Sequence, residues 1–204
     1  MDMAIFIELL PGITTFVLVN TITPGPNNIM LTASGANFGF KRTLPHIAGI
    51  IIGVAALNLC TGLGLGALFT QFPLMQHILR VLGSAYLIWL AIKLLNFQHS
   101  DDDHDSEARP FSFWQAFVFQ YVNPKAWVMV VSANASFSLS GADYWPSVWF
   151  ITLIFALIGP PSIMLWAGFG QLIRHALKHS RVLKAFNILM AGLTASCVLF
   201  IWMD

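Results

Sequence analysis

Charged residues are scarce in this sequence. Asp, Glu, Lys and Arg together make up 9% of its 204 residues, against about a quarter in a typical soluble domain. Hydrophobic residues make up 57%, and several long stretches carry no charge at all. Because such stretches suit a membrane interior, we predict an all-α membrane protein, with one domain over residues 1–204 and the lipid bilayer as a partner.

Cysteines, basic clusters and catalytic motifs are also few or missing. Cys60 and Cys197 lie in apolar segments and lack the spacing of a disulfide framework or a metal knuckle. No basic patch with interleaved aromatic residues indicates nucleic-acid binding. Because no His-Glu-x-x-His, paired carboxylates or nucleophile–base pair occurs, we predict no enzyme, cofactor or metal centre. The Met-Asp-Met-Ala start lacks the basic region of a signal peptide, and we expect it to begin the first span.

Six apolar stretches are long enough to cross a bilayer, which takes about 20 residues of helix. The hydrophilic segment 98–111 divides them into two sets of three, a first repeat (1–97) and a second repeat (112–204), and is expected to be a cytoplasmic linker. Ser112 and Gln115 have the spacing of a capping box at the start of the fourth span. The six predicted spans cover residues 4–36, 44–68, 73–97, 112–138, 145–171 and 182–203.

The basic residues predict the orientation. Only Arg80 lies toward the opposite side of the membrane, while Lys125 lies inside the fourth span. Since Lys and Arg concentrate in cytoplasmic loops, both termini are expected to face outward. The basic residues that share one side are Lys41, Arg42, Lys93, Arg109, Arg174, Lys178, Arg181 and Lys184.

The loop at 100–107 is strongly acidic and contains His104. A run of charge in a loop is usually a solvated linker, which is the preferred interpretation here. Its carboxylates also have the chemistry to collect a divalent cation, so a divalent-metal exporter is an alternative function. No carboxylate or thiol lies at mid-membrane to pass such a cation on. A non-transporting structural membrane subunit is a further alternative.

Prolines interrupt the first and fourth spans at matching positions. Pro24 and Pro124 lie 100 residues apart, and because each half has three spans the halves have opposite orientations. Proline and glycine disrupt a helix, and interrupted spans at matching positions of an inverted repeat indicate a transporter's binding site. The candidate substrate-binding residues are Asn20, Thr23, Pro24, Gly25, Pro26, Asn27, Asn28, Gln120, Asn123, Pro124 and Lys125.

The chemistry of these two breaks suits a zwitterion. A helix restarts at Pro26, and its first amides and positive dipole end favour a carboxylate, while the two asparagines that follow add donors and acceptors. The carbonyls freed before Pro24 and Pro124 suit a substrate ammonium. Lys125 is costly inside a membrane and is a functional candidate, paired with a substrate carboxylate or with a helix C-terminus.

Thr23-Pro24-Gly25-Pro26-Asn27 resembles the signature of the lysine-exporter (LysE/RhtB) family of amino-acid exporters. Similar resemblances occur over 34–42, over 48–53 and over Asn123-Pro124-Lys125-Ala126, so the likeness covers essentially the whole chain. It implies a secondary transporter in a bacterial inner membrane that exports neutral amino acids of the homoserine, threonine or cysteine type, or their derivatives. It also implies alternating access and antiport with protons, and it leaves a homodimer open.

Two smaller features concern packing and the cavity. The pairs Gly35 and Gly39, and Gly49 and Gly53, place small residues on one helix face. We expect them to pack within the bundle rather than form a dimer face. Gly159-Pro160-Pro161 is expected to break the fifth span near its centre, either lining the same cavity or forming a simple kink.

The residue that would carry a coupling proton is not evident. Glu8 and His46 are the ionisable candidates within the spans, and both lie near span ends rather than at mid-membrane. Tyr121 adjoins the second break but does not titrate near neutral pH. A substrate that exchanges its own proton is the alternative.

Overall fold

The computed structural model describes residues 3–65, 73–95, 109–174, 176 and 179–202. Within those residues every regular element is helical. Short 3-10 turns at Gln120–Val122 and Gly141–Asp143 and a π-helical turn at Thr61–Leu65 join the longer helices. The α-helices are α1 (Met3–Ile22), α2 (Pro26–Phe38), α3 (Phe40–Cys60), α4 (Pro73–Leu95), α5 (Phe113–Phe119), α6 (Pro124–Phe137), α7 (Tyr144–Ile173) and α8 (Ser180–Trp202).

Five segments are long and apolar enough to cross a membrane, which confirms an all-α membrane protein with several spans. The predicted span 112–138 is not among them because it consists of α5 and α6, each too short to cross alone. Placed end to end, the two helices measure about 30 Å, the thickness of a bilayer core. The five segments are Ala4–Ile22, Phe40–Gly64, His77–Leu95, Gly141–Ile173 and Arg181–Leu199.

The chain is broken at both places that the prolines predicted. Helix α1 ends at Ile22 and α2 begins at Pro26, and a 3-10 turn separates α5 from α6, which begins at Pro124. Proline fits the first turn of a helix because its missing N–H would have no partner there. The capping box that begins α5 is confirmed as well, since Ser112 and Gln115 exchange both hydrogen bonds.

The predicted break at Gly159-Pro160-Pro161 is wrong. Helix α7 runs without interruption through both prolines. Proline backbone dihedrals are compatible with a helix, and packed neighbours compensate for the two missing hydrogen bonds in membrane helices. Helices α1, α2 and α3 all pack along α7 and hold it on both sides of the prolines.

Each broken pair continues in one direction along an unbroken helix. Helices α1 and α2 run parallel to α7, since Phe6 stacks edge-on against Phe150 and the Trp166 indole donates to the Ile22 carbonyl. Helices α5 and α6 similarly run parallel to α3, since Gly49 lies against Phe113 and Asn58, further along α3, is bonded to Asn134 of α6. The two interruptions are therefore local breaks in otherwise continuous rods.

Glycines allow these helices to approach closely. A Cβ added at Gly35 would lie less than 3.0 Å from the Ala167 carbonyl of α7, and one at Gly49 would clash with the Phe113 carbonyl just before Trp114. The predicted packing role of these glycines within the bundle is therefore confirmed. Gly39 instead forms the joint between α2 and α3, with φ of 85°, a region that favours glycine.

The outer surface is apolar, as lipid contact requires. Large side chains such as Leu165, Leu172, Trp149 and Leu199 are exposed, while a core of small and branched residues fills the interior around α7. Residues 98–108, including the acidic run with His104, lie outside the described part of the chain. Among the described residues no cluster of three or more His, Cys, Asp or Glu could hold a metal ion.

Candidate functional site

The two breaks meet in space. The Lys125 ammonium, at the start of α6, donates to the Thr23 carbonyl at 2.8 Å, to the Thr23 hydroxyl at 2.8 Å and to the Pro24 carbonyl at 3.2 Å. These groups are about a hundred residues apart in the chain. Of the two pairings expected for Lys125, the one with carbonyls at a helix C-terminal end is present here.

A second link joins the same two breaks. The side-chain amides of Asn27 and Gln120 bond reciprocally, with Asn27 Nδ2 to Gln120 Oε1 at 2.9 Å and Gln120 Nε2 to Asn27 Oδ1 at 3.1 Å. Gln120 is fully buried, and its Nε2 also donates to the Ala116 carbonyl. A buried amide satisfied in this way fixes the distance between the halves of the chain.

Side chains occupy the carbonyls that the first break frees. Asn28 Nδ2 donates to the Thr21 carbonyl at 2.8 Å and to the Thr23 carbonyl at 2.7 Å, and Trp166 Nε1 donates to the Ile22 carbonyl. Proline at 24 and 26 removes backbone donors, and these side chains replace them. The sequence indicated that the carbonyls would be exposed but not that the protein would fill them.

A cavity that is partly open at the protein surface lies between the breaks, and its volume is about 560 Å³ when the open space at its mouth is included. Six of the predicted residues line it. Gly159 and Pro160 line it too, so of the two roles expected for them, cavity wall or simple kink, the structure shows the first. Of the other predicted residues, Thr23 and Pro24 accept hydrogen bonds from Lys125, and Gln120 bonds Asn27. Pro26 and Pro124 begin the two helices and do not line the cavity. The six are Asn20, Gly25, Asn27, Asn28, Asn123 and Lys125.

One wall of the cavity is apolar and was not identified from the sequence. Ile50 and Val54 of α3, Met129 of α6, and Phe155 and Ile163 of α7 form it. Apolar residues recur throughout these spans, so nothing in the sequence distinguishes the ones that line a cavity. The wall would accommodate a short uncharged side chain.

Asn123 has an unused hydrogen-bond acceptor beside the cavity. The residue is buried, and its Oδ1 has no partner among the described groups. Although it precedes α6 at the N-cap position, its side chain makes no capping bond. An unpaired buried acceptor is costly, so a donor from a bound substrate would be stabilised there.

The charge of the cavity is positive. Lys125 is the single ionised side chain among the described residues that line it, and no carboxylate is among them. The N-termini of α2 and α6 add partial positive charge nearby. The arrangement attracts a carboxylate, provided that Lys125 can leave its present acceptors.

We predict that Gln120→Leu lowers the stability of the protein. The change keeps the side-chain volume but leaves the Asn27 amide without its partner, at a cost of about 1–3 kcal/mol. Thermal unfolding in detergent measures this loss. The double change with Asn27→Leu should recover part of it, and equal stability of the single variant and the wild type would contradict the prediction.

Comparison with known proteins agrees with these features. A family model described as LysE type translocator matches residues 18–202. The Cysteine/O-acetylserine efflux protein of Salmonella typhimurium is 30% identical over 195 residues, covering 95% of this chain and 97% of the relative. Proteins of the same name from Escherichia coli and Shigella sonnei are 31% identical over the same shares. No solved structure matches the chain. A chain that matches translocators along nearly its whole length is a transporter rather than an enzyme, and it belongs to the LysE type translocator family.

Proposed function

We propose that this protein exports small neutral amino acids, or close derivatives such as O-acetylserine, from the bacterial cytoplasm across the inner membrane. The observation that carries the proposal is the cavity between the two breaks, with one cation, several amides and no acid on its described walls. The relatives named as cysteine and O-acetylserine efflux proteins agree with it.

The cavity has groups for each part of a zwitterion. The Lys125 ammonium and the first amides of α2 and α6 suit the carboxylate. The unpaired Oδ1 of Asn123 suits the ammonium, and so would the oxygens of Thr23 and Pro24 once Lys125 turns from them to the carboxylate. The apolar wall around Val54 and Phe155 excludes a charged side chain, because no group there would neutralise it.

Six crossings arranged as a 3+3 inverted repeat, with both termini outside, complete the proposal. A two-fold axis in the membrane plane would place matching helices against each other in opposite directions. Helix α3 packs on α7 in that manner, since the Phe40 amide bonds Gln171 and the Asn58 amide bonds Thr152. Helix α4 packs on α8 similarly, with His77 near the start of one against Trp202 at the end of the other.

The two breaks share hydrogen bonds at an offset of one hundred residues. Asn20 Nδ2 donates to the Phe16 carbonyl, and Gln120 Nε2 donates to the Ala116 carbonyl, both at 2.9 Å. Such repeated detail supports an internal duplication.

A buried polar network on the predicted outer side suits a closed gate. Asn134 Nδ2 donates to Asn58 Oδ1 at 2.8 Å and to Thr61 Oγ1 at 2.9 Å, and Asn58 donates to Thr152. Asn58 lies one turn beyond Val54, which lines the cavity. Alternating access would break this network when the cavity opens outward.

Proton coupling is part of the proposal, although neither candidate carrier lines the cavity. Glu8 is exposed on α1, and His46 is fully buried on α3, with neither ring nitrogen hydrogen-bonded in the described part. Nothing in the described residues favours the divalent-metal exporter, and a structural subunit would have no use for a polar cavity.

Overexpression in a bacterial host tests the function. We expect tolerance to added cysteine, homoserine or threonine to rise, and at least one of these or O-acetylserine to accumulate in the medium several-fold over the empty vector. Quantitative amino-acid analysis of the medium measures this. Unchanged levels of every amino acid, with the protein present in the membrane, would contradict the proposal.

A further inference from the structure

We infer that Lys125 is a placeholder for the substrate ammonium, and that substrate binding exchanges one ammonium for the other. The inference rests on the proposed function, because it specifies how that cavity selects its substrate. In the present structure the lysine occupies the acceptors of Thr23 and Pro24. The ammonium of a bound zwitterion would take those acceptors, and the released lysine would then lie beside the carboxylate of the zwitterion.

The hydrogen bonds of Lys125 support this assignment. An ammonium has three N–H donors, and Lys125 has three acceptors within 3.2 Å, all of them at the first break. No carboxylate is among the described residues that line the cavity, so the charge is stabilised by dipoles alone. Carbonyl and hydroxyl oxygens arranged around one primary ammonium also have the geometry to accept hydrogen bonds from another.

Gly25 provides the space that this arrangement needs. A Cβ added there would lie 2.8 Å from Lys125 Cδ and 3.2 Å from its Nζ. The φ and ψ angles of Gly25 are 178° and 177°, an extended conformation that any residue can adopt. Glycine therefore matters here for space, because an added Cβ would push the Lys125 side chain out of its present position.

Charge conservation makes the exchange selective. A zwitterion adds no net charge to the cavity, because its carboxylate neutralises the lysine that its ammonium displaces. An amino-acid ester would place two cations together. An N-acyl amino acid would draw Lys125 away and supply no ammonium in its place, which leaves the Pro24 carbonyl without a donor and the Thr23 carbonyl with Asn28 alone. The exchange also breaks the Lys125 contacts with Thr23 and Pro24, so that only the Asn27–Gln120 pair still links the two breaks. Substrate binding is thereby coupled to movement of the two halves.

Ligand binding to the purified protein tests the exchange. The probes are L-cysteine and L-threonine, each with its methyl ester and its N-acetyl derivative, measured by calorimetry and by ligand-induced shifts in melting temperature. For wild type we expect the free amino acid to bind about ten-fold or more tightly than either derivative. Lys125→Met should reverse part of this order, binding the ester about ten-fold tighter than wild type does and the free amino acid more weakly. The control Lys41→Met, at an exposed site on α3, should keep the wild-type order.

The contact between Lys125 and Thr23 can be tested without a ligand. Thr23→Val and Lys125→Met should lower the melting temperature by less together than the sum of their separate effects, because they remove the same bond. Additive effects on the melting temperature would show that Lys125 and Thr23 do not interact. Wild-type protein that exports amino acids but binds ester and free amino acid alike would overturn the exchange alone. Wild-type protein that neither binds nor exports any of them would overturn the proposed function, and with it the exchange.

Discussion

Gly170→Ala should destabilise the protein although it adds a single methyl group. A Cβ at this position in α7 would lie less than 3.0 Å from the Thr32 carbonyl and from the Ala36 amide nitrogen of α2. Both are backbone atoms of a buried helix, so relief requires the whole of α2 to move away from α7. Overpacking of this kind costs about 1–3 kcal/mol, and α2 begins the candidate site, so we expect export to fall as well. Thermal unfolding in detergent measures the change in stability.

Gly168→Ala is the matched control for this experiment. Gly168 lies two residues earlier in α7, and nothing lies within 4 Å of an added Cβ. Because alanine favours a helix over glycine by about 0.5–1 kcal/mol, this variant should be as stable as wild type or slightly more stable. Equal melting temperatures of the two variants would show that α2 and α7 are not in the close contact described.

Asn123→Ala should abolish most export while leaving the protein folded. The side chain has no hydrogen-bond partner in the described structure and makes no capping bond, so its removal leaves no protein group unpaired. If Oδ1 accepts from the substrate ammonium, the lost charge-assisted bond is worth about 1.5–3 kcal/mol, or roughly ten-fold to a hundred-fold in transport. Export rate normalised to protein in the membrane is the measurement.

Asn134→Ala provides the opposite case. Its Nδ2 bonds Asn58, Thr61 and the Val130 carbonyl, so its loss should reduce stability by about 1–3 kcal/mol. The site assignment fails if Asn123→Ala transports like wild type, or if it loses stability to the same extent as Asn134→Ala.

The breaks could be predicted because proline and glycine act locally. Pro24, Gly25 and Pro26 exclude a regular helix whatever surrounds them, and so does Pro124 at the second break. Their matched spacing indicated the site, and residues next to the prolines, such as Gly25 and Lys125, line one cavity. The unbroken path of α7 through Pro160 shows the limit of the rule, because packing on both sides of a proline can preserve a helix.

The partners of the polar groups could not be predicted from the sequence. The Lys125–Thr23 contact joins residues 102 positions apart, and the Asn27–Gln120 pair joins residues 93 positions apart. Their meeting depends on how α3 and α7 bring the two halves together. From residue chemistry alone, the partner of Lys125 could be either a substrate carboxylate or the C-terminal end of a helix.

The single residue between α2 and α3 determines which parts of the molecule can move separately. Gly39 alone joins the two helices, and the Phe40 amide that follows it is bonded to Gln171 at 2.6 Å. With a single connecting residue, a rotation of α2 would also move the start of α3 and strain the bond to Gln171. At its other end α2 is joined to α1 by residues 23–25, which are not helical and are the natural place for α2 to pivot. A ligand that acts on this gap therefore acts on two walls of the cavity at once.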